Sequence, residues 1–362
     1  GTTVLLVPGA APTTPTYDLI ELATSGSEVY GMDLTDEGNV LLNIDQQAPH
    51  RWRAGVLEPI GHESASGMSA GGVVTGWEFD GGSTRGYVWD GTSTPLPPLE
   101  LDDFPNDVDD RGEVVGYVTT PTGQHAFRYD AGTFVDLHAQ LRGSASEARF
   151  INETGWISGT VTASPGRYFG FIAHGDDVFP LTPATGDTMF AFDVNSQGVA
   201  AGTMSIPGQI EAAFRWSNGV VENLDPPNSR QSEGIAVNEA GAVAGLYVPE
   251  ATPGLYRPFI HDATGFHLSP GLGGTFASLS DISDSGVAVG TSSVALGMRA
   301  MMFDGTTTTD LNRLVDPGSK YTLTSATRIN EAGWILAQGS TSPLGGQTRA
   351  ILLVPRGTTD FT

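Results

Sequence analysis

The sequence contains no cysteine, which excludes disulfides, thiolate metal sites and thiol chemistry. Basic residues are few, with 17 Lys and Arg against 41 Asp and Glu, so the formal net charge is −24. A field of this sign repels phosphate backbones and anionic headgroups, which makes nucleic acid and membrane surfaces poor partners. No apolar run reaches the roughly 18 residues of a membrane span, so membrane insertion is not expected. Cations, neutral sugars and apolar small molecules remain as ligand classes.

Glycine, in contrast, is abundant, with 48 of 362 residues, alongside 23 prolines and 39% hydrophobic residues. This composition predicts a large core connected by many turns rather than long helices. The first residues, 1–15, contain the apolar stretch Val4–Val7 and then small residues. We interpret this segment as an extension that is either a short strand or the remnant of a secretion signal, and we favour an exported protein over a cytoplasmic one.

One short motif occurs eight times: an apolar residue, a short polar residue, two further residues and a glycine. The spacing between successive glycines grows from 34 residues after Gly38 to 47 before Gly333. A type I turn favours Asn, Asp or Ser first and Gly fourth, so each motif predicts a tight hairpin turn. The polar residue and glycine of each motif are Thr35/Gly38, Ser69/Gly72, Asp109/Gly112, Asn152/Gly155, Asn195/Gly198, Asn238/Gly241, Ser283/Gly286 and Asn330/Gly333.

The segments that flank each turn have the composition of β-strands. In six repeats a second glycine follows four residues after the turn glycine, which indicates a bulge or a close approach of backbone. The six second glycines are Gly76, Gly116, Gly159, Gly202, Gly245 and Gly290. A third and a fourth short strand complete a unit of about 43 residues, which is typical of a β-propeller blade.

The order of strands at the two chain ends predicts how the ring closes. The last repeat ends on its third strand, Ala350 to Val354, and Thr16 to Leu22 forms an isolated fourth strand. Joining the two removes an exposed sheet edge. We predict an all-β, eight-bladed propeller as a single domain over 16–356, followed by a tail at 357–362. Seven blades is the alternative, because the first repeat is degenerate.

The repeat resembles the bacterial extracellular HAF repeat, whose tripeptide is present as His125-Ala126-Phe127. The resemblance extends from about Tyr17 to Pro355 and implies export but no activity. Several other repeats have arginine in place of the histidine, for example Arg85, so the tripeptide marks a unit of the fold and not a catalytic histidine. The seven histidines show no metal-ligand spacing, which favours packing or surface roles.

Two motifs suggest chemistry that their context does not support. Gly67-Met68-Ser69-Ala70-Gly71 matches the G-x-S-x-G nucleophile elbow, but Ser69 is the turn residue of a repeat and no helix follows. Odd-numbered repeats have aspartate two residues before the turn residue, as in calcium loops, but they lack the acidic ligand that should follow. Capping of backbone amides is the favoured role, with calcium as the alternative cofactor. These aspartates are Asp33, Asp107, Asp193 and Asp281.

The remaining candidates lie around the start of the innermost strands. Arg149 and Arg328 stand close to buried positions, where an unpaired cation would be unfavourable, so each needs a carboxylate such as Asp281 or a ligand. Acidic and aromatic residues at neighbouring points of the repeats could gather with them at a loop-rich central mouth. The predicted ligand-binding residues are Glu147, Arg149, Glu233, Tyr321, Arg328 and Trp77.

Two functions follow as hypotheses. The first is a monomeric binding or scaffold module that holds a small molecule or glycan at the central mouth. The second is a cofactor-independent cyclase, isomerase or lyase acting on a secondary metabolite such as a polyketide, or on a polysaccharide. The composition, rich in Ala, Gly, Asp, Thr and Val, resembles that of actinomycete proteins and is compatible with the metabolite version.

Overall fold

The computed structural model describes residues 16–23, 28–45, 47–98, 100–164, 167–181, 188–206, 210–342 and 346–357. Within these ranges the chain contains 32 β-strands, two short 3-10 helices (Leu137–Gln140 and Leu311–Arg313) and no α-helix. The prediction on residues 1–15 lies outside the described residues. None of the described helices is long and apolar enough to span a membrane.

The strands form sets of four antiparallel neighbours. The four strands of each set are given below in order from the channel outwards. The innermost strands are β2 (Val29–Leu34), β6 (Ser64–Met68), β10 (Asp102–Val108), β14 (Ala145–Ile151), β18 (Met189–Val194), β22 (Ser229–Val237), β26 (Ala277–Ile282) and β30 (Thr322–Ile329). The second strands are β3 (Val40–Ile44), β7 (Val74–Asp80), β11 (Val114–Thr120), β15 (Trp156–Ser164), β19 (Ala200–Met204), β23 (Val243–Pro249), β27 (Ala288–Ser293) and β31 (Ile335–Ser340).

The outer half of each set contains shorter strands on average. The third strands are β4 (His50–Arg53), β8 (Ser83–Trp89), β12 (Gly123–Asp130), β16 (Arg167–His174), β20 (Ala212–Ser217), β24 (Arg257–Asp262), β28 (Met298–Phe303) and β32 (Thr348–Pro355). The outermost strands are β1 (Tyr17–Glu21), β5 (Val56–Pro59), β9 (Ser93–Pro95), β13 (Thr133–Asp136), β17 (Asp177–Leu181), β21 (Val220–Asn223), β25 (Gly265–Leu268) and β29 (Thr308–Asp310).

The sets are arranged as a β-propeller around a central channel. Six are separate four-stranded sheets, while β14–β17 and β18–β21 are joined into one sheet by a single parallel pair, Phe169 with Met189. The predicted closure is confirmed, because β1 pairs with β32 and completes the last set from the start of the chain. Closure leaves no innermost strand without a neighbouring set.

The hydrophobic core is divided into clusters that lie between neighbouring sets. Leu41 of β3, for example, packs with Met68, Val74 and Tyr87 of the following set. Another cluster joins the last set to the first and includes Leu352 and Val40. Because each sheet is covered on both faces by its neighbours, burial of apolar surface holds the sets to one another around the ring.

The predicted turns are confirmed in geometry. Each turn glycine has a positive φ, for example 75° at Gly198, and its amide donates to the turn residue's carbonyl. The Asn195 Oδ1 accepts the Gln197 and Val199 amides at 3.0 and 2.9 Å. The Asn195 Nδ2 donates to the Asn238 carbonyl of the next turn at 2.9 Å. The asparagine therefore both closes its own turn and ties it to its neighbour.

The second glycines are required by a close approach of backbone. A Cβ at Gly202 would lie 1.8 Å from the Phe190 carbonyl oxygen, and one at Gly159 would lie 2.4 Å from the Phe171 ring. Phe171 pairs with Gly159 across the sheet and is fully buried. Phe127 of the HAF tripeptide occupies the same place, opposite Gly116, and is also fully buried. The aromatic residue of the repeat thus has a packing role.

Candidate functional site

Each innermost strand contains a β-bulge next to its turn. In β10, for example, Pro105 and Asp107 pair with successive residues of β11, and Asn106 is left out of the register. The same shift occurs in all eight innermost strands. A bulge lets two consecutive residues face the same side of a strand. Residues at the bulge, and the one after it, are therefore displayed towards the channel.

These residues line a cavity of about 590 Å³ within the channel. A cavity of this size is typical of small-molecule sites. Its wall combines ionisable side chains with large apolar ones that are partly exposed. The bulge-derived lining residues are Met32, Asp33, Ser66, Gly67, Asn106, Asp107, Arg149, Phe150, Phe192, Asp193, Ile235, Ala236, Ser280, Asp281 and Arg328.

The four aspartates cap backbone amides, as predicted, and three of them reach the next set. Asp193 Oδ1 accepts the Val194 amide at 2.9 Å, while its Oδ2 accepts the Val237 amide of β22 at 2.8 Å. Asp281 bonds the Ile329 amide in the same way at 2.8 Å, and Asp107 bonds the Ile151 amide at 3.0 Å. Each of these aspartates thus bridges an odd-numbered set to the even-numbered set that follows.

Burial in the channel wall raises the pKa of the three bridging carboxyls above the usual range of an aspartate. It raises the pKa of Asp281 to about 6, although the Arg328 charge and the two backbone amides oppose the shift. It also raises the pKa of Asp193 and, well above the ordinary value, that of Asp107, which has Asp33 as a neighbouring negative charge. These three carboxyls therefore titrate closer to neutrality than exposed ones.

Arg328 occupies the channel wall as an ion-paired cation, which confirms the predicted carboxylate partner. Its Nε lies 3.0 Å from Asp33 Oδ1, and this contact joins the last set to the first. Burial alone would lower the pKa of Arg328, but the charges of Asp33, Asp281 and Asp193 together raise it. The partner is thus chiefly Asp33, with Asp281 acting through its charge.

Arg149 is far less buried than its position in the sequence suggested. Half of its side chain is exposed, and its Nη2 makes only a long contact, 3.5 Å, to Glu147 of the same strand. Glu147 also accepts a hydrogen bond from Asn106 Nδ2 at 3.1 Å. Because the strand bulges at Arg149, this guanidinium faces the channel instead of the core.

The other predicted ligand residues are not part of the described cavity wall. Tyr321 is buried in the hydrophobic cluster between the last two sets, together with Leu311 and Leu323. Trp77 packs edge-on against Phe104, with ring centroids 5.8 Å apart. Glu233 accepts a hydrogen bond from Gln231, and burial followed by the Glu211 charge raises its pKa. The cavity is formed by innermost strands and not by the loops where the site was predicted.

The described residues contain no group of three His, Asp or Glu side chains placed to hold a metal ion. The calcium hypothesis for Asp33, Asp107, Asp193 and Asp281 therefore stays a prediction without a ligand cluster. Ser69 of the G-x-S-x-G motif is buried in its turn between two strands, where its hydroxyl accepts the Val73 amide. It has no helix after it, as the repeat predicts.

Sequence reasoning missed the apolar residues of the cavity, Met32, Phe150 and Phe192. The signal that could have found them is their place in the repeat, two or three residues before the turn residue. In a regular strand, successive residues face opposite sides, so only one of the two residues at this point would face the channel. The bulge lets both residues face it.

No family model matches this chain, and no curated protein sequence matches it either. Among solved structures, one from an analysis of two prolyl endopeptidases is similar over 91% of this chain and 55% of its own, at 10% identity and a TM-score of 0.56. The β-propeller domain of the Trilobed protease from Pyrococcus furiosus is similar over 96% of this chain and 99% of its own, at 10% identity and 0.45. TolB from Acinetobacter baumannii is similar over 55% of this chain and 54% of its own, at 15% identity and 0.39.

This chain thus spans about half the length of TolB and of the prolyl endopeptidase. At identities of 10–15% these similarities concern the fold alone. The arrangement of four-stranded sets around a channel defines the class of this protein as a β-propeller.

Proposed function

We propose that this chain is a binding module whose channel cavity holds a neutral small organic molecule without transforming it. One observation carries the proposal: three large apolar side chains of the cavity wall are partly exposed. Met32 is 45% exposed, Phe150 44% and Phe192 38%. Apolar surface in a concave site is the usual basis of small-molecule affinity, because a ligand removes it from water.

The electrostatics of the channel argue for a neutral ligand. Four aspartates and a net charge of −24 disfavour an anion. Arg328 is already paired with Asp33. Arg149 is half exposed and weakly paired, so it can donate to a carbonyl or hydroxyl oxygen of a ligand. A glycan would use the same donor, but the apolar residues favour a less polar molecule.

Binding of Nile red, a neutral apolar dye, tests this proposal. We expect the wild-type protein to enhance its fluorescence saturably. Phe150→Ala and Phe192→Ala should each weaken binding by about tenfold or more, since a buried aromatic contact contributes about 1.5–3 kcal/mol. Phe79→Ala is the matched control, because Phe79 is 60% exposed and does not line the cavity. No saturable binding, or equal binding by the Phe150 and Phe192 variants, would refute the proposal.

The enzymatic alternative, a cofactor-independent cyclase, isomerase or lyase, has less support. The raised pKa of Asp281 would suit a general acid, but both of its oxygens accept backbone amides. Asp193 is engaged in the same way. These carboxyls are therefore better explained as bridges between sets.

We also propose that the ring has eight blades, one for each four-stranded set. Aspartates two residues before the turn occur only in odd-numbered sets, and each of the last three bonds to the following even-numbered set. Such an alternation closes on itself only with an even number of blades.

The similarity to the HAF repeat and the export of the protein are further proposals. Localisation of the full-length protein by cell fractionation tests its export.

A further inference from the structure

Three side chains of the set β6–β9 form a hydrogen-bonded relay outside the channel. Glu78 Oε2 of β7 lies 2.6 Å from Nδ1 of His62, which stands in the connection before β6. Nε2 of the same imidazole lies 2.6 Å from Oγ of Ser93, the first residue of β9. Serine, histidine and carboxylate are thus joined in the order that activates a serine nucleophile.

The proton positions follow from the carboxylate. An ionised Glu78 can only accept a hydrogen bond, so Nδ1 of His62 carries the hydrogen. In the neutral imidazole Nε2 then has the lone pair and accepts the Ser93 hydroxyl proton. This is the tautomer in which histidine acts as a general base towards a serine.

The surroundings hold the imidazole and leave the hydroxyl accessible. His62 stacks on Tyr87 at a centroid distance of 3.9 Å and an interplanar angle of 22°. Tyr87 is buried, and its hydroxyl donates to the Ser64 carbonyl at 2.6 Å, which fixes the ring. The His62 side chain is only 14% exposed, whereas Ser93 is exposed. The base is therefore rigid and the nucleophile faces solvent.

Two other histidines show how this relay differs from ordinary surface pairing. His125 bonds Asp136 at 2.9 Å, but its second nitrogen meets the secondary hydroxyl of Thr122 at 3.2 Å. His267 uses the same nitrogen, Nε2, for both Asp262 and Thr264, so no relay passes through its ring. Among these three histidines, His62 alone joins a carboxylate to a primary hydroxyl through opposite nitrogens at short distance.

We propose that Ser93, His62 and Glu78 form a second site, which catalyses acyl transfer from small activated esters. Ser93 Oγ adds to the ester carbonyl while His62 Nε2 takes its proton. The adduct then expels the alkoxide, which receives that proton and leaves as the alcohol. Water, deprotonated by the same nitrogen, adds to the acyl-serine, and the carboxylic acid leaves as Ser93 regains its hydrogen. Glu78 is a positioning residue that fixes the tautomer.

A fluorophosphonate probe and p-nitrophenyl acetate test this site. We expect the wild-type protein to be labelled, with peptide mapping placing the adduct on Ser93, and to hydrolyse the ester above the buffer rate. Ser93→Ala and His62→Ala should reduce both signals at least tenfold. Ser144→Ala is the matched control, because Ser144 is an exposed serine that donates to the Thr162 carbonyl. It should retain labelling and hydrolysis.

The role of Glu78 has its own readout. Glu78→Gln should lower the labelling rate at unchanged melting temperature, and Glu78→Asp should restore part of that rate because it again offers a carboxylate. Absence of labelling and hydrolysis in the wild-type protein would overturn the proposal. So would an adduct mapped to another residue, or labelling that persists in Ser93→Ala.

Discussion

Among single residues, the second glycine of a repeat is required by the space around it, just as the first glycine is required by turn geometry. The second glycine of a set lies against a carbonyl of the bulged strand, and in five of the six sets it pairs with an aromatic residue of the third strand. Gly245, for example, would place a Cβ 2.0 Å from the Glu233 oxygen and 3.0 Å from Phe259. Since both neighbours belong to packed strands, neither can move away cheaply.

Substitution of one such glycine should therefore destabilise the protein. We expect Gly202→Ala to lower the free energy of unfolding by about 2–4 kcal/mol, since its Cβ would overlap the Phe190 carbonyl. The last set has Ala337 at the equivalent position, so Ala337→Gly is the matched control and should change stability by only about 1 kcal/mol. Urea denaturation of both variants measures the difference. Equal stability of Gly202→Ala and the wild-type protein would contradict this explanation.

Among the secondary-structure elements, the innermost strand of each set has two edges in different environments. It must pair with the second strand on one edge, and its other edge faces the channel with unpaired backbone groups. The aspartate after the bulge satisfies an amide of its own strand and one of the next set, as Asp193 does for Val194 and Val237. The bridge thus satisfies a polar edge and joins two sets.

Loss of a bridging carboxylate should therefore weaken the fold. We expect Asp193→Ala to reduce the free energy of unfolding by about 1–3 kcal/mol, because two amides lose their acceptor. Asp193→Asn should have a smaller effect, since the amide oxygen still accepts one of them. Asp80→Ala, at the exposed end of β7, is the control. A thermal melt of the three variants decides the matter, and an Asp193→Ala protein as stable as the control would rule the bridge out as a source of stability.

At the scale of the whole molecule, closure and the channel arise together. β1 pairs with β32, Arg328 pairs with Asp33, and the Asn330 side chain donates to the Thr35 carbonyl at 3.0 Å. The first contact completes the last set with a strand from the start of the chain, and the other two join that set to the first one. The Asn330 contact repeats the one that Asn195 makes with the Asn238 carbonyl. The ring then brings channel carboxyls close enough to affect one another, and burial raises the pKa of several of them.

The pH dependence of the free energy of unfolding should show the raised pKa of Asp281. The pKa of Asp281 is about 6 when folded and about 3.9 when unfolded, so the folded state binds more protons between these values. Its contribution is fully present below about pH 4 and is lost as the pH rises to about 6. We expect the stability difference between wild type and Asp281→Asn to fall across this window in denaturation curves at pH 4, 5, 6 and 7. A difference that rises or stays flat would exclude the raised pKa.

The turns, the four-stranded units and the closure could be predicted from the sequence, because each depends on residues close in the chain or on the phase of the repeat. Asn195 and Gly198 specify a turn wherever they stand. The sequence also identified Asp193 as a capping residue from its place beside that turn. These features are local, so the residues that specify them lie close together in the sequence.

The residues that face the channel, and the distant side chains that meet, could not be predicted from the sequence because they depend on how the ring packs. The bulge exposes Phe150 beside Arg149, and no periodicity in the sequence of this strand predicts the bulge. His62, Glu78 and Ser93 come from three segments whose meeting depends on strand register and twist within one set. Such contacts are set by packing of the whole ring, since the repeat fixes each blade but not the side chains that its neighbours bring together.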